Sequence, residues 1–199
     1  MPEEKRTELG SLGEFELINR LVEGFETVNE STVKSIGDDA AVIEYKEGQI
    51  VVSTDLLIEN IHFDLMYTPL KHLGYKAVVV NLSDIYAMNA IPEQITVSIG
   101  VSNRFSLESL DELYDGIKAA CKHYKVDLVG GDTSSSNKGL IISVTAIGRA
   151  LKEDIVYRNT AQLGDLICVT GDLGAAFIGI QILEREKALF LDNPGIKPE

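Results

Sequence analysis

Four short acidic motifs contain the residue types in this sequence that are best suited to chemistry. They are Gly37-Asp38-Asp39-Ala40, Ser53-Thr54-Asp55, Asn81-Leu82-Ser83-Asp84 and Gly130-Gly131-Asp132-Thr133. Each motif ends an apolar stretch or lies inside one, where a carboxylate is costly to bury unless a partner compensates its charge. Carboxylates that converge on one cleft also repel one another. A divalent metal ion would relieve both costs, so the pattern predicts a Mg²⁺ site and, through Mg²⁺, a phosphorylated ligand.

Each motif also has a structural explanation when it is taken singly. Gly-Asp pairs are common in turns, Ser-Thr-Asp can form a cap or a hydroxyl-bonded turn, and the serines after Asp132 are typical of a polar loop. Of the two adjacent carboxylates in the first motif, we favour Asp39 as the ligand. Neighbouring side chains of an extended segment point to opposite faces, and Asp39 abuts the apolar run that follows.

Asp84 lies in an apolar stretch, 78–88, that we expect to be largely buried. Asn81 and Asp84 are three residues apart and share a helix face. An unpaired buried aspartate is rare, so either Asp84 binds a metal ion or Asn81 forms a structural hydrogen bond with it. We favour the metal ligand.

The remaining candidates are suited to phosphate contacts. Gly131 lacks a side chain and would let the backbone approach a phosphate closely. Arg149 and Arg158 could contact phosphate through bidentate guanidinium geometry, or could equally be surface cations. His62 lies among apolar residues, where a lone histidine is more often structural than functional.

The elements that must position these motifs are helices and strands in alternation. Helical spacing predicts helices at 12–25 and 107–124. Residues 71–88 are rich in Ala, Val and Leu and contain no breaker beyond Gly74, which predicts a third helix, and a fourth is expected at 175–190 after Gly171–Gly174. Short β-branched or alternating segments predict strands within 33–45 and at 49–54, 94–101, 126–129, 140–149 and 163–170. The second and fourth motifs would then lie at the ends of strands. Ser106 is the expected N-cap of helix 107–124, whose acidic residues come early and basic residues late, as the helix dipole favours.

Composition excludes several classes of function. The 199 residues include 18 basic and 31 acidic side chains, for a net charge of −13, and no basic stripe of the kind that binds nucleic acid is visible. The same charge argues against an anionic membrane surface, and no apolar stretch reaches the roughly 20 residues that span a bilayer. No signal peptide is recognisable, and both Cys121 and Cys168 are expected to be reduced core residues. We therefore expect a soluble cytoplasmic protein.

The order of the motifs resembles that of the thiamine-monophosphate kinases, a family in the superfamily of aminoimidazole ribonucleotide synthetase. The shared order is Gly-Asp-Asp-Ala-Ala, Ser-Thr-Asp with His-Phe a few residues on, Asn-Leu-Ser-Asp-Ile-x-Ala-Met, Gly-Gly-Asp-Thr and Gly-Arg-Ala. The resemblance runs from Leu12 to Gly171, nearly the whole sequence. Each motif is modest, but the five in this order are specific.

This resemblance implies transfer of the γ-phosphoryl group of ATP to thiamine monophosphate, which gives thiamine diphosphate and ADP. It implies that several magnesium ions are ligated by Asp39, Ser53, Thr54, Asp55, Asp84 and Asp132. It implies that His62 contacts the thiamine substrate and that ATP is contacted by Tyr114, Gly131, Asp132 and Arg158. The nucleophile would be an already ionised phosphate oxygen, so we assign no catalytic base or nucleophile to a side chain.

The resemblance also implies an α+β fold. Residues 1–150 would form an N-terminal domain that binds ATP and Mg²⁺, with a mixed sheet that packs against helices and dimerises into a shared barrel. Residues 151–199 would be the beginning of a truncated C-terminal α+β domain, because the family's Asp-x-Ser-Asp-Gly motif is absent. Family members are cytoplasmic homodimers. Asn89 stands where members usually have glycine, and asparagine tolerates a positive φ well enough for the turn to survive.

Two other functions stay open. One is a different ATP-dependent enzyme of the same superfamily, such as the aminoimidazole ribonucleotide synthetase. The other is a non-catalytic dimerisation or metal-binding module, which would predict scattered rather than convergent acidic residues. His62-Phe63 soon after Ser53-Thr54-Asp55 favours the kinase.

Overall fold

A computed structural model describes residue 7, residues 13–36 and residues 41–193. Over these residues the chain is an α+β protein with four helices. In chain order the elements are α1 (Glu14–Val22), β1 (Thr32–Lys34), β2 (Val42–Ile43), β3 (Gln49–Ile58), α2 (Leu70–Ala87), β4 (Ile91–Val101), α3 (Leu107–Tyr124), β5 (Asp127–Ser135), β6 (Leu140–Ala150) and α4 (Ala175–Asp192).

A four-stranded mixed sheet in the order β3-β6-β4-β5 organises the fold. Strand β6 is antiparallel to both β3 and β4, whereas β4 and β5 are parallel and are joined through α3. A parallel pair needs such a crossover because a short hairpin cannot connect it. Strands β1 and β2 form a separate antiparallel hairpin. Within the described residues no sheet closes into a barrel.

Helices α2 and α3 cover one face of this sheet and form the core with it. The alternating apolar residues of β4 and β6 point toward the helices and are buried, as the period of two in a strand requires. Leu73, Leu113 and Ile117 are fully buried between the helices and the sheet. No helix in the described part of the chain covers the opposite face of the sheet, and Ile50, Val52 and Leu56 of β3 are exposed on it.

Several sequence predictions of structure are confirmed. Helix α3 has the predicted bounds, and the Ser106 side chain caps it by accepting a hydrogen bond from the Ser109 N–H at 3.3 Å. Asn89 has a φ of 55°, so it takes the left-handed conformation that favours glycine or asparagine.

Strands β3, β4 and β5 are longer than predicted, and one predicted strand is wrong. Strand β3 continues to Ile58 and β5 to Ser135, so Ser53-Thr54-Asp55 and Gly130-Gly131-Asp132 lie inside strands and not at their ends. Pairing with β6 and β4 extends the ladders past the point where apolar residues stop. Residues 163–170 form no strand, because none of the described strands lies beside them to pair.

The two cysteines differ in environment. Cys121 is buried on α3, and burial together with the charge of Asp127 raises the pKa of its thiol to about 12. Cys168 is exposed, so the expectation that both cysteines are core residues is wrong for it. None of the helices in the described part of the chain is both long enough and apolar enough to cross a membrane.

Candidate functional site

The Ser53-Thr54-Asp55 motif presents its side chains to two different faces of the sheet. Ser53 and Asp55 are half-buried on the face toward α2, whereas Thr54 is exposed on the open face. This split follows from the extended conformation of β3, in which successive side chains alternate. One strand therefore supplies a hydroxyl and a carboxylate to the helix-covered side and a single hydroxyl to the other.

Asp84 meets this motif from the last turn of α2. The Ser53 hydroxyl donates a hydrogen bond to Asp84 Oδ2 at 2.6 Å. Asp55 lies two residues farther along β3, on the same face as Ser53. We call Ser53, Asp55 and Asp84, at the margin between β3 and α2, the Ser53–Asp84 group. It contains two carboxylates and a hydroxyl.

The expectation that Asp84 is buried and the alternative that it bonds to Asn81 are both wrong. Asp84 is exposed, while Asn81 is fully buried among the apolar residues that α2 turns toward the sheet. The Asn81 amide donates to the Ala77 carbonyl at 3.0 Å, and its Oδ1 atom has no hydrogen-bond partner among the described residues. Positions three residues apart are offset by about 60° around a helix axis, and this offset is enough to place Asp84 at the margin beside β3 while Asn81 faces the core.

Asp132 lies far from the Ser53–Asp84 group. Direct strand pairing runs from Leu56 through Ser143 and Ser98 to Asp132, which is three strand spacings or about 14 Å. Asp132 is exposed and belongs to the same open face as Thr54, because directly paired residues share a face. The structure therefore divides the predicted metal ligands into two groups on opposite faces of the sheet.

Thr54 and Gly131 have structural contacts of their own. The Thr54 hydroxyl donates to the Val144 carbonyl at 3.1 Å and accepts from the Thr145 hydroxyl at 3.0 Å. A Cβ atom at Gly131 would lie 1.8 Å from the Val97 carbonyl oxygen. Close approach of β4 and β5 therefore requires a glycine at this position, whether or not a phosphate lies nearby.

The residues present fit a magnesium ion in donor chemistry. Mg²⁺ prefers hard oxygen ligands and keeps several waters, and the Ser53–Asp84 group offers only oxygen donors. Asp39, the remaining predicted ligand, lies outside the described residues. Among the residues that the structure does describe, no three His, Cys, Asp or Glu side chains gather into a metal-binding cluster.

His62 lies on the surface and is held in one orientation. Its Nδ1 atom accepts a hydrogen bond from the Ile58 N–H at 3.0 Å, and the side chain is exposed. A ring nitrogen that accepts carries no proton, so the neutral imidazole has its proton on Nε2. His62 is thus a surface donor in the connection between β3 and α2 and not a core residue.

The residues predicted to contact ATP lie in separate parts of the fold. Tyr114 is 7% exposed and belongs to the core, where burial raises the pKa of its hydroxyl to about 12. Any contact with ATP would be confined to that small exposed part. Arg158 is exposed in 151–174, a segment without helix or strand. Arg149 is ion-paired with Glu93, which occupies part of its guanidinium.

Sequence reasoning missed a buried polar network at the N-terminal ends of β4 and β5. Glu93, Gln94 and Asp127 are all buried and hydrogen-bonded to residues 28–32 or to Arg149. The available signal was a charged residue inside the apolar run Val126-Asp127-Leu128-Val129, because a buried aspartate needs partners.

Comparison with known proteins gives consistent matches. Residues 37–150 match the family described as AIR synthase related protein, N-terminal domain. The chain is 37% identical over 177 residues to a thiamine-monophosphate kinase of Bacillus subtilis, covering 88% of the chain and 54% of that relative. Its fold is similar to the crystal structure of thiamine-monophosphate kinase from Stenotrophomonas maltophilia, with a TM-score of 0.74, 33% identity and coverage of 88% of the chain and 54% of the other.

A further solved structure is that of AaThiL complexed with AMPPCP and TMP. It matches with a TM-score of 0.66 and 33% identity, covering 92% of the chain and 56% of AaThiL. The chain thus spans about half the length of the curated relatives that it matches.

Proposed function

The chain belongs to the AIR synthase related protein family, whose N-terminal domain it carries at residues 37–150, and on that premise we propose that it transfers the γ-phosphoryl group of ATP to thiamine monophosphate. The observation that carries the proposal is the 37% identity to a thiamine-monophosphate kinase over 88% of the chain. The AaThiL complex with AMPPCP, an ATP analogue, and TMP supports the same pair of ligands.

In this proposal the Ser53–Asp84 group, together with Asp39, holds magnesium. Magnesium would supply charge neutralisation at the transferred phosphoryl group and would align it with the acceptor. Thr54 and Asp132 lie on the face of the sheet opposite the Ser53–Asp84 group. Asp132 is also about 14 Å from β3. Their proposed ligand roles therefore concern other ions than the one at the Ser53–Asp84 group.

The other proposed roles belong to binding and not to proton transfer. His62 presents its Nε2–H toward solvent and would donate it to the thiamine substrate. Arg158, Gly131, Asp132 and the exposed part of Tyr114 would contact ATP. A phosphate oxygen of thiamine monophosphate is already ionised at neutral pH, so the reaction needs positioning more than a base. A cytoplasmic location and the division into domains at 1–150 and 151–199 stay predictions.

Homodimerisation through the open face of the sheet is part of the proposal. Its exposed apolar residues on β3, at Ile50, Val52 and Leu56, share this face with the hydroxyls of Thr54, Thr145 and Ser98. A face of this kind is covered in a barrel that two such sheets would form. A monomer would leave it in water, where a large apolar patch is unfavourable.

We expect the double variant Val52→Glu/Leu56→Glu to be a monomer, since two charges per protomer would be buried against a second copy. Light scattering after gel filtration should then give half of the native mass. Leu191→Glu, on an exposed position of α4 outside this face, is the control and should keep the native mass. A native chain that is itself monomeric would contradict the proposed dimer.

The kinase is tested by calorimetry and by ADP release. We expect thiamine monophosphate to bind the chain loaded with Mg²⁺ and AMPPCP, and ADP release from ATP to require thiamine monophosphate. Thiamine, which lacks the acceptor phosphate, is the matched control and should give no ADP. Absence of both binding and release would contradict the proposal for this chain. Release with a purine-pathway ribonucleotide but not with thiamine monophosphate would favour the alternative within the family, the aminoimidazole ribonucleotide synthetase reaction.

A non-catalytic dimerisation module is the remaining alternative. It would give a dimer that binds neither Mg²⁺-AMPPCP nor thiamine monophosphate. The structure brings together one hydroxyl and one carboxylate, those of Ser53 and Asp84, and places Asp132 on the other face of the sheet, so the positions of the acidic residues do not separate the two functions. The 37% identity to a thiamine-monophosphate kinase over 88% of the chain favours the kinase.

A further inference from the structure

Glu59 follows directly on β3 and has a side chain that is only 6% exposed. One of its carboxylate oxygens is ion-paired with Arg104, which lies just after β4. The other, Oε2, accepts a hydrogen bond from the Leu140 N–H at 2.8 Å. The Glu59 N–H in turn donates to the Leu140 carbonyl at 3.0 Å. These partners compensate the loss of water around the carboxylate, and they fix the end of β3 to the start of β6.

A tight turn follows Glu59 and contains His62. Asn60 has a φ of 63°, a left-handed conformation that asparagine tolerates better than most residues. The Asn60 N–H donates to the Phe63 carbonyl at 2.8 Å, and the His62 N–H donates to the Ile58 carbonyl at 2.9 Å. Phe63 is buried in the core. The turn is therefore fixed at both ends, by Glu59 and by Phe63.

The same turn sets the direction of the His62 imidazole. Strand β3 is an edge strand, and because Glu59 directs its N–H toward β6, the N–H of Ile58 points to the free edge. His62 Nδ1 accepts this N–H at 3.0 Å. The proton of the neutral ring is then on Nε2, which is left to donate to a ligand. The direction of this donor thus depends on the backbone next to Glu59.

The turn lies at the same margin as the Ser53–Asp84 group. Lys76 of α2 donates to the His62 carbonyl at 3.4 Å, just as Asp84 of α2 accepts from Ser53. Lys76 and Asp84 are separated by about 12 Å along the helix axis, or roughly two turns. The His62 donor and the proposed metal group therefore both lie where α2 borders β3 and the turn that follows it.

We propose that Glu59 is a positioning residue for the substrate site: it holds the end of β3 and the turn after it, and so aims the His62 Nε2–H at the thiamine substrate. This inference rests on the proposed function, because only there is His62 a substrate contact. Glu59 has both of its carboxylate oxygens engaged within the protein, so it touches no substrate in this role. It acts through the backbone of Ile58 and through His62.

The test is Glu59→Gln, in the chain loaded with Mg²⁺ and AMPPCP. Glutamine keeps the length of the side chain, but it loses the charge that pairs with Arg104 and one of the two acceptor oxygens. The dissociation constant of thiamine monophosphate should rise about tenfold, which corresponds to the net loss of one hydrogen bond. Nitrogen NMR should show a single His62 tautomer in the native chain and a mixture of both tautomers in Glu59→Gln.

AMPPCP binding reports whether the variant is folded. Glu59→Gln should bind Mg²⁺-AMPPCP with native affinity, since Glu59 contacts neither ligand in this role. Where Glu59→Gln does not fold, Glu59→Asp replaces it. Aspartate keeps the charge but withdraws the carboxylate from Arg104 and from the Leu140 N–H, so the same rise in the dissociation constant of thiamine monophosphate is expected.

A double variant tests whether Glu59 acts through His62. His62→Ala removes the donor and should itself weaken thiamine monophosphate binding by about tenfold or more. Glu59→Gln added to His62→Ala should weaken binding no further, since a donor that is absent cannot be misdirected. Independent contributions of the two residues would instead add in free energy.

Glu93→Gln is the matched control. Glu93 also has a side chain that is only 7% exposed and is ion-paired with an arginine, Arg149. Arg149 lies near the far end of β6 from Leu140, about 30 Å along the strand. Glu93→Gln removes the same type of buried ion pair, so its unfolding midpoint should fall while thiamine monophosphate affinity and the His62 tautomer stay native.

Four outcomes would overturn the proposal. Native thiamine monophosphate affinity in Glu59→Gln would mean that the turn keeps its shape without the ion pair. An equal loss in the native and His62→Ala backgrounds would mean that Glu59 does not act through His62. Native affinity in His62→Ala would refute the substrate contact itself. If the native chain binds no thiamine monophosphate, the proposed function fails and the positioning role with it, and the NMR measurement still reports whether Glu59 orients His62.

Discussion

Asp84→Asn is expected to weaken Mg²⁺-dependent AMPPCP binding by at least about 100-fold while the chain stays folded. Loss of a residue that only orients a metal ligand already costs about 10–100-fold in metal affinity, and Asp84 is proposed as a ligand itself. Because Asp84 is exposed at the margin of α2, replacing it leaves no cavity. The amide oxygen of the asparagine can still accept the hydrogen bond that the Ser53 hydroxyl donates. Calorimetric titration of Mg²⁺ with AMPPCP measures the effect.

The matched control for this substitution is Asp115→Asn, an exposed aspartate on α3. It removes the same charge and should leave AMPPCP binding native. In the absence of metal, Asp84→Asn should melt no lower than the native chain, since one of two carboxylates in the Ser53–Asp84 group has been neutralised. Native affinity in Asp84→Asn would refute the ligand role of Asp84 directly.

Gly116→Ala is expected to lower the free energy of unfolding by about 3 kcal/mol or more, at the upper end of the usual cost of overpacking. The new Cβ atom would lie 1.9 Å from the Lys71 carbonyl oxygen and 2.9 Å from the Tyr75 nitrogen. Both are backbone atoms of α2, so no side-chain rotation relieves the clash and the two helices must separate. A Cβ atom added at Gly74 would likewise lie 2.0 Å from the Leu113 carbonyl oxygen of α3. Urea denaturation measures the loss.

The control on the chain itself is Gly179→Ala. Gly179 lies inside α4, and a Cβ atom there meets nothing within 4 Å. Alanine is the better helix former by about 0.8–1 kcal/mol, so this variant should be slightly more stable than the native chain. A similar gain at Gly116 would mean that α2 and α3 are not in backbone contact.

Prediction from the sequence succeeded where local properties decide the outcome. Helices α2 and α3 have nearly the predicted bounds, since the apolar residues of α3 recur with the helical period and 71–88 contains no proline and a single glycine. The Ser106 cap and the positive φ of Asn89 are also local properties of the chain. Predicted strand 163–170 failed because a strand exists only when another strand pairs with it, and no strand in the described part of the chain pairs with residues 163–170.

The sequence by itself determined which oxygen-bearing side chains are present and their order along the chain. Only the tertiary structure decided that Ser53 and Thr54 lie on opposite faces of the sheet and that Ser53 meets Asp84. It also decided that Asp132 lies three strands away on the open face and that Asp127 accepts hydrogen bonds from residues 28–32. Those relations depend on strand order, pairing register and helix packing between residues about 30 to 100 positions apart. Local periodicity cannot specify contacts at that separation.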